Sequence, residues 1–227
     1  MTNRELENLS RATSHHIQEP LRKIRNFASL LRTRKQSMTP QEAWILLEKI
    51  EANAGNLQTM AQNLVQYANL IQYNQKKELI DLNILIKEVE YHLEDILFVS
   101  KAELCYEGLP RVWGIHSQLF ILFLELITNA IHFSKDQHPP QIRIYNFKQK
   151  DHFTTIVVED EGQGFSNIYA ERIFRLFEQL EPTGATGKGV GLAMCGRIMT
   201  NHNGSIRANG QSGKGAKFTV EFPDPKL

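Results

Sequence analysis

The chain has 227 residues, with 26 Lys plus Arg against 25 Asp plus Glu and a net charge of +1, so bulk charge gives no hold on nucleic acid or a membrane surface and a partner must be recognised by a site. Two cysteines, Cys105 and Cys195, make neither a disulfide framework nor a zinc pattern. The longest apolar run, around residues 119–127, is broken by Glu125, and the first residues lack a signal-peptide core, so a cytoplasmic chain is expected.

From residue 6 to 31 the apolar or small residues Leu6, Ser10, Thr13, Ile17, Pro20, Ile24, Phe27 and Leu31 recur in steps of four and three, the seam of a long helix. A turn over 34–40 follows, with Thr39 placed as an N-cap and Pro40 as the first helical residue. A second seam then runs through Leu47, Ile50, Ala54, Leu57, Ala61, Leu64, Ala68 and Ile71. Two such helices cannot cover both apolar faces alone, and pairing two hairpins into a homodimeric four-helix bundle solves this. Beyond Asn74-Gln75-Lys76-Lys77 the texture changes to short β-like runs among helical patterns, which sets domains at 1–77 and 78–227. Strands are expected at 103–106, 141–147, 153–159, 205–208 and 217–222, and helices at 82–98, 117–133 and 190–201.

Three fragments of the second domain carry possible chemistry. In ELITNAIHFS, Glu125, Asn129 and His132 stand three or four apart and share one helix face; a carboxylate and an amide aimed together suit Mg²⁺, which takes few protein oxygens alongside phosphates and water. In TTIVVEDEGQGF, Asp160 ends a strand before Gly162 and Gly164, where it can accept from an exocyclic amine while the glycines admit a ring. In TGKGVGLAMCGRIM, Gly187, Gly189 and Gly191 precede a helix and expose backbone N–H groups to an anion. Residues 178–188, with Pro182, Thr183, Gly184 and Thr186, read as a loop able to close over a nucleotide. Each fragment alone is an ordinary helix edge, turn or loop; the three in this order within about a hundred residues are not an accident of composition.

Together with IFRLFEQL at 173–180 and Ser212-Gly213-Lys214-Gly215, these motifs resemble the sensor histidine kinases of two-component systems. The resemblance implies an α+β chain: a helical hairpin that dimerises as a four-helix bundle, then an α/β sandwich ATP-binding domain of the gyrase, chaperone and histidine-kinase type. It implies Mg²⁺ on Asn129 and Glu125, the adenine amine on Asp160 with Gly162 and Gly164 beside it, and phosphates near His132, Lys188, Gly189 and Gly191, with Leu192 grouped among these nucleotide contacts. The cofactors implied are ATP and Mg²⁺, and the partners a second copy and a response-regulator receiver domain, with no nucleic acid. Neither a sensory nor a receiver domain is expected within these residues.

In the first helix SHHIQEPLRKI resembles the family's acceptor motif, in its phytochrome-like form. Pro20 fixes the register, which selects His15 over His16 as the phosphate acceptor. The heptad frame agrees, since Ile17 and Ile24 in the seam put His15 outermost. A reference pKa of about 6.5 leaves most of an exposed imidazole neutral and nucleophilic at about pH 7. The family places an acidic residue after the acceptor, where this chain has His16; the proton-accepting role falls to His16 or to Glu19 one turn on. That departure keeps a nucleotide-binding scaffold without phosphotransfer as a second expectation, and an ATPase of the gyrase and chaperone superfamily as a third.

Overall fold

In the computed structural model the chain is described over residues 3–34, 37–72, 76–135, 138–147, 152–180 and 189–224, with side chains from His16 onward except that of Gln72. It divides into two compact units, Met1–Ile71 and Gln72–Leu227.

The first unit is two helices, α1 (Asn3–Thr33) and α2 (Pro40–Gln72). Thr39 starts α2 as a capping box: its N–H donates to the Glu42 carboxylate at 2.8 Å, and the Glu42 N–H donates back to Thr39 Oγ1 at 3.3 Å. Lys49 of α2 holds its ammonium 5.7 Å from the Phe27 ring centroid of α1. The second seam is split. Ile50, Leu57 and Leu64 are half-buried within the unit, whereas Leu47, Ala54, Ala61 and Ala68 remain exposed, as do Trp44 and Ile45. A single hairpin therefore covers half of the stripe its sequence encodes.

The second unit is a mixed helix and sheet fold. Its strands and helices are β1 (Glu78–Asp81), α3 (Leu82–His92), α4 (Glu94–Ser100), β2 (Glu103–Tyr106), β3 (Arg111–Gly114), α5 (His116–His132), β4 (Gln141–Asn146), β5 (Phe153–Asp160), α6 (Gly191–Asn201), β6 (Ser205–Gln211) and β7 (Gly215–Pro223). The five-stranded sheet has order β2-β4-β5-β7-β6, parallel only between β2 and β4. Alternation along the strands sends Ile142, Ile144, Ile156, Val158, Phe218, Val220 and Phe222 to one buried face. That face meets the apolar stripes of α3, α5 and α6, including Leu85, Leu122, Phe123 and Ile198. Each such side chain contributes roughly 1.5–3 kcal/mol on burial, so α5, with seven buried positions, is held rigidly under the site it carries.

Three expectations about elements need correction. The helix expected over 82–98 is two, because Leu93, buried at 3% exposure, leaves helical geometry at φ −98° and ψ 7°. β1 and β3 had no counterpart in the sequence reading; they pair antiparallel with Ile80 opposite Val112, and each is four residues long. β6 and β7 also extend beyond the expected spans, to Gln211 and from Gly215.

Candidate functional site

α5 carries Glu125, Asn129 and His132 in its last two turns, one turn or less apart. Glu125 is half-buried, and neither its carboxylate nor the Asn129 amide has a hydrogen-bond or ion-pair partner among the described residues. Burial raises the Glu125 pKa above the usual carboxylate range. Its carboxylate lies against the backbone of Gly191, where a Cβ would overlap Glu125 Oε2. Gly191 opens α6, so the carboxylate sits beside a helix N-terminus. His132 packs edge-on against Phe133, ring centroids 4.9 Å apart.

Asp160 ends β5 and is buried at 8% exposure. Its Oδ1 accepts the N–H of Gly162 at 2.9 Å and that of Ala216 at 3.2 Å. Burial raises its pKa, against the lowering effect of those two hydrogen bonds. Gly162 lies under Phe133, whose carbonyl a Cβ would strike, and Gly164 has φ +62° with the Gln211 carbonyl in the place of a Cβ. The Phe133 carbonyl also accepts the Gln163 N–H at 2.8 Å, which fastens the turn after β5 to the end of α5.

A cavity of about 100 Å³ opens there, lined by Ala130, Ser134, Lys135, His138, Pro139, Pro140, Gln141, Asp160, Glu161 and Gly162. The structure thus brings Asp160 and Gly162 to one end of α5 and Glu125, Asn129 and Gly191 to the same helix nearer its middle. Gly189 has φ +68°, and its carbonyl accepts the Phe177 N–H at 2.6 Å, joining the two ends of the expected closing loop. Lys188, Gly187 and the rest of 181–188 lie outside the described residues, as does the side chain of His15. Leu192 is half-buried in the first turn of α6. In α1, Glu19 pairs with Lys23 at 2.7 Å, and His16 is half-buried.

The sequence reading missed Lys135, His138 and the Ala216 N–H. Lys135 stands three residues past the end of α5, where its only sequence signal is a cation close to the polar stripe. Ala216 contributes a backbone group and has no side-chain signature.

The donor set fits a hydrated Mg²⁺. Among the described residues no cluster of three or more metal-ligating side chains occurs, and two unpartnered oxygen donors one turn apart match an ion that completes its shell with phosphate and water.

Residues 114–226 match the family model of the histidine kinase-, DNA gyrase B- and HSP90-like ATPases. Over 223 residues the chain is 28% identical to phytochrome-like protein Cph1 of Synechocystis, covering 98% of this chain and 30% of that one. It is 28% identical over 225 residues to the adaptive-response sensory kinase SasA of Prochlorococcus marinus, covering 96% and 58%. The chain therefore spans about a third to somewhat over half the length of these relatives. Among solved structures, histidine kinase ThkA in complex with response regulator TrrA matches with TM-score 0.71 and 20% identity over 95% of this chain and 61% of that one. No helix among the described residues is long and apolar enough to cross a membrane. Residues 114–226 are an ATPase domain of the histidine kinase, DNA gyrase B and HSP90 type, and the chain belongs with the sensor histidine kinases along which it aligns.

Proposed function

We propose that the chain is the phosphotransfer core of a histidine kinase, which moves the γ-phosphoryl group of ATP to His15 and from there to an aspartate of a response regulator. The observation that carries the nucleotide half is the pairing, on one helix, of Glu125 and Asn129, without partners among the described residues, with a cavity of about 100 Å³ lined by Asp160. In this reading the adenine amine donates to Asp160 Oδ2, while Glu125 and Asn129 hold Mg²⁺. The ion offsets charge on the phosphates when bound. Backbone N–H groups around Gly189 and Gly191, at the start of α6, receive phosphate oxygens. His132 and Lys188 add positive charge or donors near them, and Leu192 contacts the nucleotide. Catalysis then rests on in-line positioning: a ring nitrogen of His15 bonds to the γ-phosphorus, the bond to the β,γ-bridging oxygen breaks, and the imidazole proton passes to His16 or Glu19.

The half-exposed seam of α2 supports the dimer, since Leu47, Ala54, Ala61 and Ala68 need a second copy to bury them. ThkA, crystallised with its response regulator, supports a receiver domain as the next acceptor, and ShkA, solved with AMPPNP, supports ATP as donor.

The test is incubation with γ-labelled ATP and Mg²⁺ of the native chain, His15→Gln and His16→Gln. Label that is acid-labile, alkali-stable and lost only in His15→Gln supports the assignment. Label retained in His15→Gln, or absent although ATP binds, rejects it.

A further inference from the structure

The base end of the cavity holds two opposite charges that are not joined to each other. Asp160 spends Oδ1 on the backbone N–H groups of Gly162 and Ala216, which leaves Oδ2 for a ligand. Lys135 lines the same cavity of about 100 Å³. Its half-buried side chain has no hydrogen bond or ion pair among the described residues. Even so, its ammonium is near enough to lower the Asp160 pKa electrostatically, against the larger effect of burial. A lysine with no partner among the described residues, a short way from a carboxylate, gives up a favourable contact. The arrangement makes sense if a ligand edge presents a donor to one group and an acceptor to the other.

Adenine presents such an edge: the N6 amine donates and the neighbouring N1 accepts. Guanine inverts both, with O6 accepting and N1–H donating. We propose that Lys135 is a second base-reading residue, whose Nζ donates to N1 of the adenine that gives its N6–H to Asp160. A guanine in this cavity would face repulsion twice, its O6 against the carboxylate and its N1–H against the ammonium, so selectivity comes from rejection as well as attraction. His138, the other basic side chain on the lining, is exposed. Glu161 turns its carboxylate to Arg143 at 3.6 Å. Lys135 is thus the cation placed to read the edge.

This inference rests on the ATP site proposed above, and the experiment separates the two. Binding of Mg²⁺ complexes of ATP, 1-deaza-ATP and purine riboside triphosphate to the whole chain is measured by calorimetry for the native protein, Lys135→Met and Lys135→Arg. The first analogue keeps the amine and lacks N1; the second keeps N1 and lacks the amine. A charge-assisted hydrogen bond predicts that the native chain binds 1-deaza-ATP about tenfold more weakly than ATP. Lys135→Met should lose about that factor for ATP and bind the two equally, while still discriminating against purine riboside triphosphate through Asp160. Lys135→Arg, which keeps a donor, should retain the preference for N1. Equal binding of ATP and 1-deaza-ATP by the native chain overturns the proposal, as does a Lys135→Met variant that weakens both nucleotides alike. A native chain that binds none of the three overturns the ATP site itself.

Discussion

Asp160 Oδ1 accepts the Ala216 N–H at 3.2 Å, so the residue at the end of β5 is fastened to the start of β7, 56 positions further along the chain. The same atom accepts from Gly162. The two bonds hold the carboxylate in place at the edge of the cavity that Asp160 lines.

Asp160→Asn should therefore separate binding from folding. The amide oxygen can still accept both N–H groups, while its NH₂ opposes an adenine amine, so nucleotide affinity should fall at least about tenfold. Because burial raises the folded pKa above 3.8, the ionised carboxylate weakens the fold: its contribution is fully favourable below the unfolded value and is lost as pH rises through the folded one. The variant should have an equal or higher Tm at neutral pH, and that advantage over the native chain should shrink as pH falls through the raised pKa in a pH series of thermal melts.

Glu125 is the second carboxylate whose charged form burial disfavours. Its pKa is raised from 4.5 by burial, so lowering the pH through that raised value should protonate the carboxylate and weaken Mg²⁺-dependent nucleotide binding. Glu125→Gln should raise or leave unchanged the Tm without ligand, bind Mg-ATP about tenfold more weakly and lose that pH dependence. Calorimetric titrations with and without Mg²⁺ at several pH values check it.

Two glycines should respond differently to alanine. At Gly191 the new methyl meets Glu125 Oε2, the end of a flexible side chain that can swing aside. Gly191→Ala should change stability by less than about 1 kcal/mol and still lower Mg²⁺-dependent affinity, since the carboxylate is displaced. At Gly162 the methyl meets the Phe133 carbonyl, which is backbone. Gly162→Ala should lower stability by about 1–3 kcal/mol. Urea melts with paired binding measurements distinguish the two effects.

What could be read in advance follows from where each constraint lies. Gly162, Gly164 and Gly191 were legible because contacts that exclude a side chain leave a residue type in the sequence. Asn129 and Glu125 were legible as a polar stripe on a greasy helix. β1 and β3 were not, because four-residue strands carry too few alternations and Ile80 finds Val112 only through the folded chain. The break at Leu93 was hidden because leucine suits either helix. Lys135 escaped notice because its meaning comes from Asp160, 25 residues on, across one cavity. The role of His15 still rests on its register with Pro20 and on motif resemblance.

His202 ties the start of α5 to α6 and should make the fold acid-sensitive. Its Nε2 accepts the Ile115 N–H at 2.9 Å, so that nitrogen carries no proton, and Nδ1 lies 2.7 Å from the Ile198 carbonyl, to which it donates. A protonated ring could no longer accept from Ile115. Burial is the main reason the pKa lies below 6.5. Above 6.5 the ring is neutral folded and unfolded, and the contribution is complete. As pH falls below 6.5 the unfolded chain takes a proton that the folded one refuses, and stability is lost until the folded pKa is reached. His202→Ala leaves the Ile115 N–H without its partner and empties a site at 2% exposure, which should cost about 2–4 kcal/mol. Melts of the variant should also lose the slope between pH 6.5 and the folded pKa; an unchanged slope would mean that another group sets the acid limb.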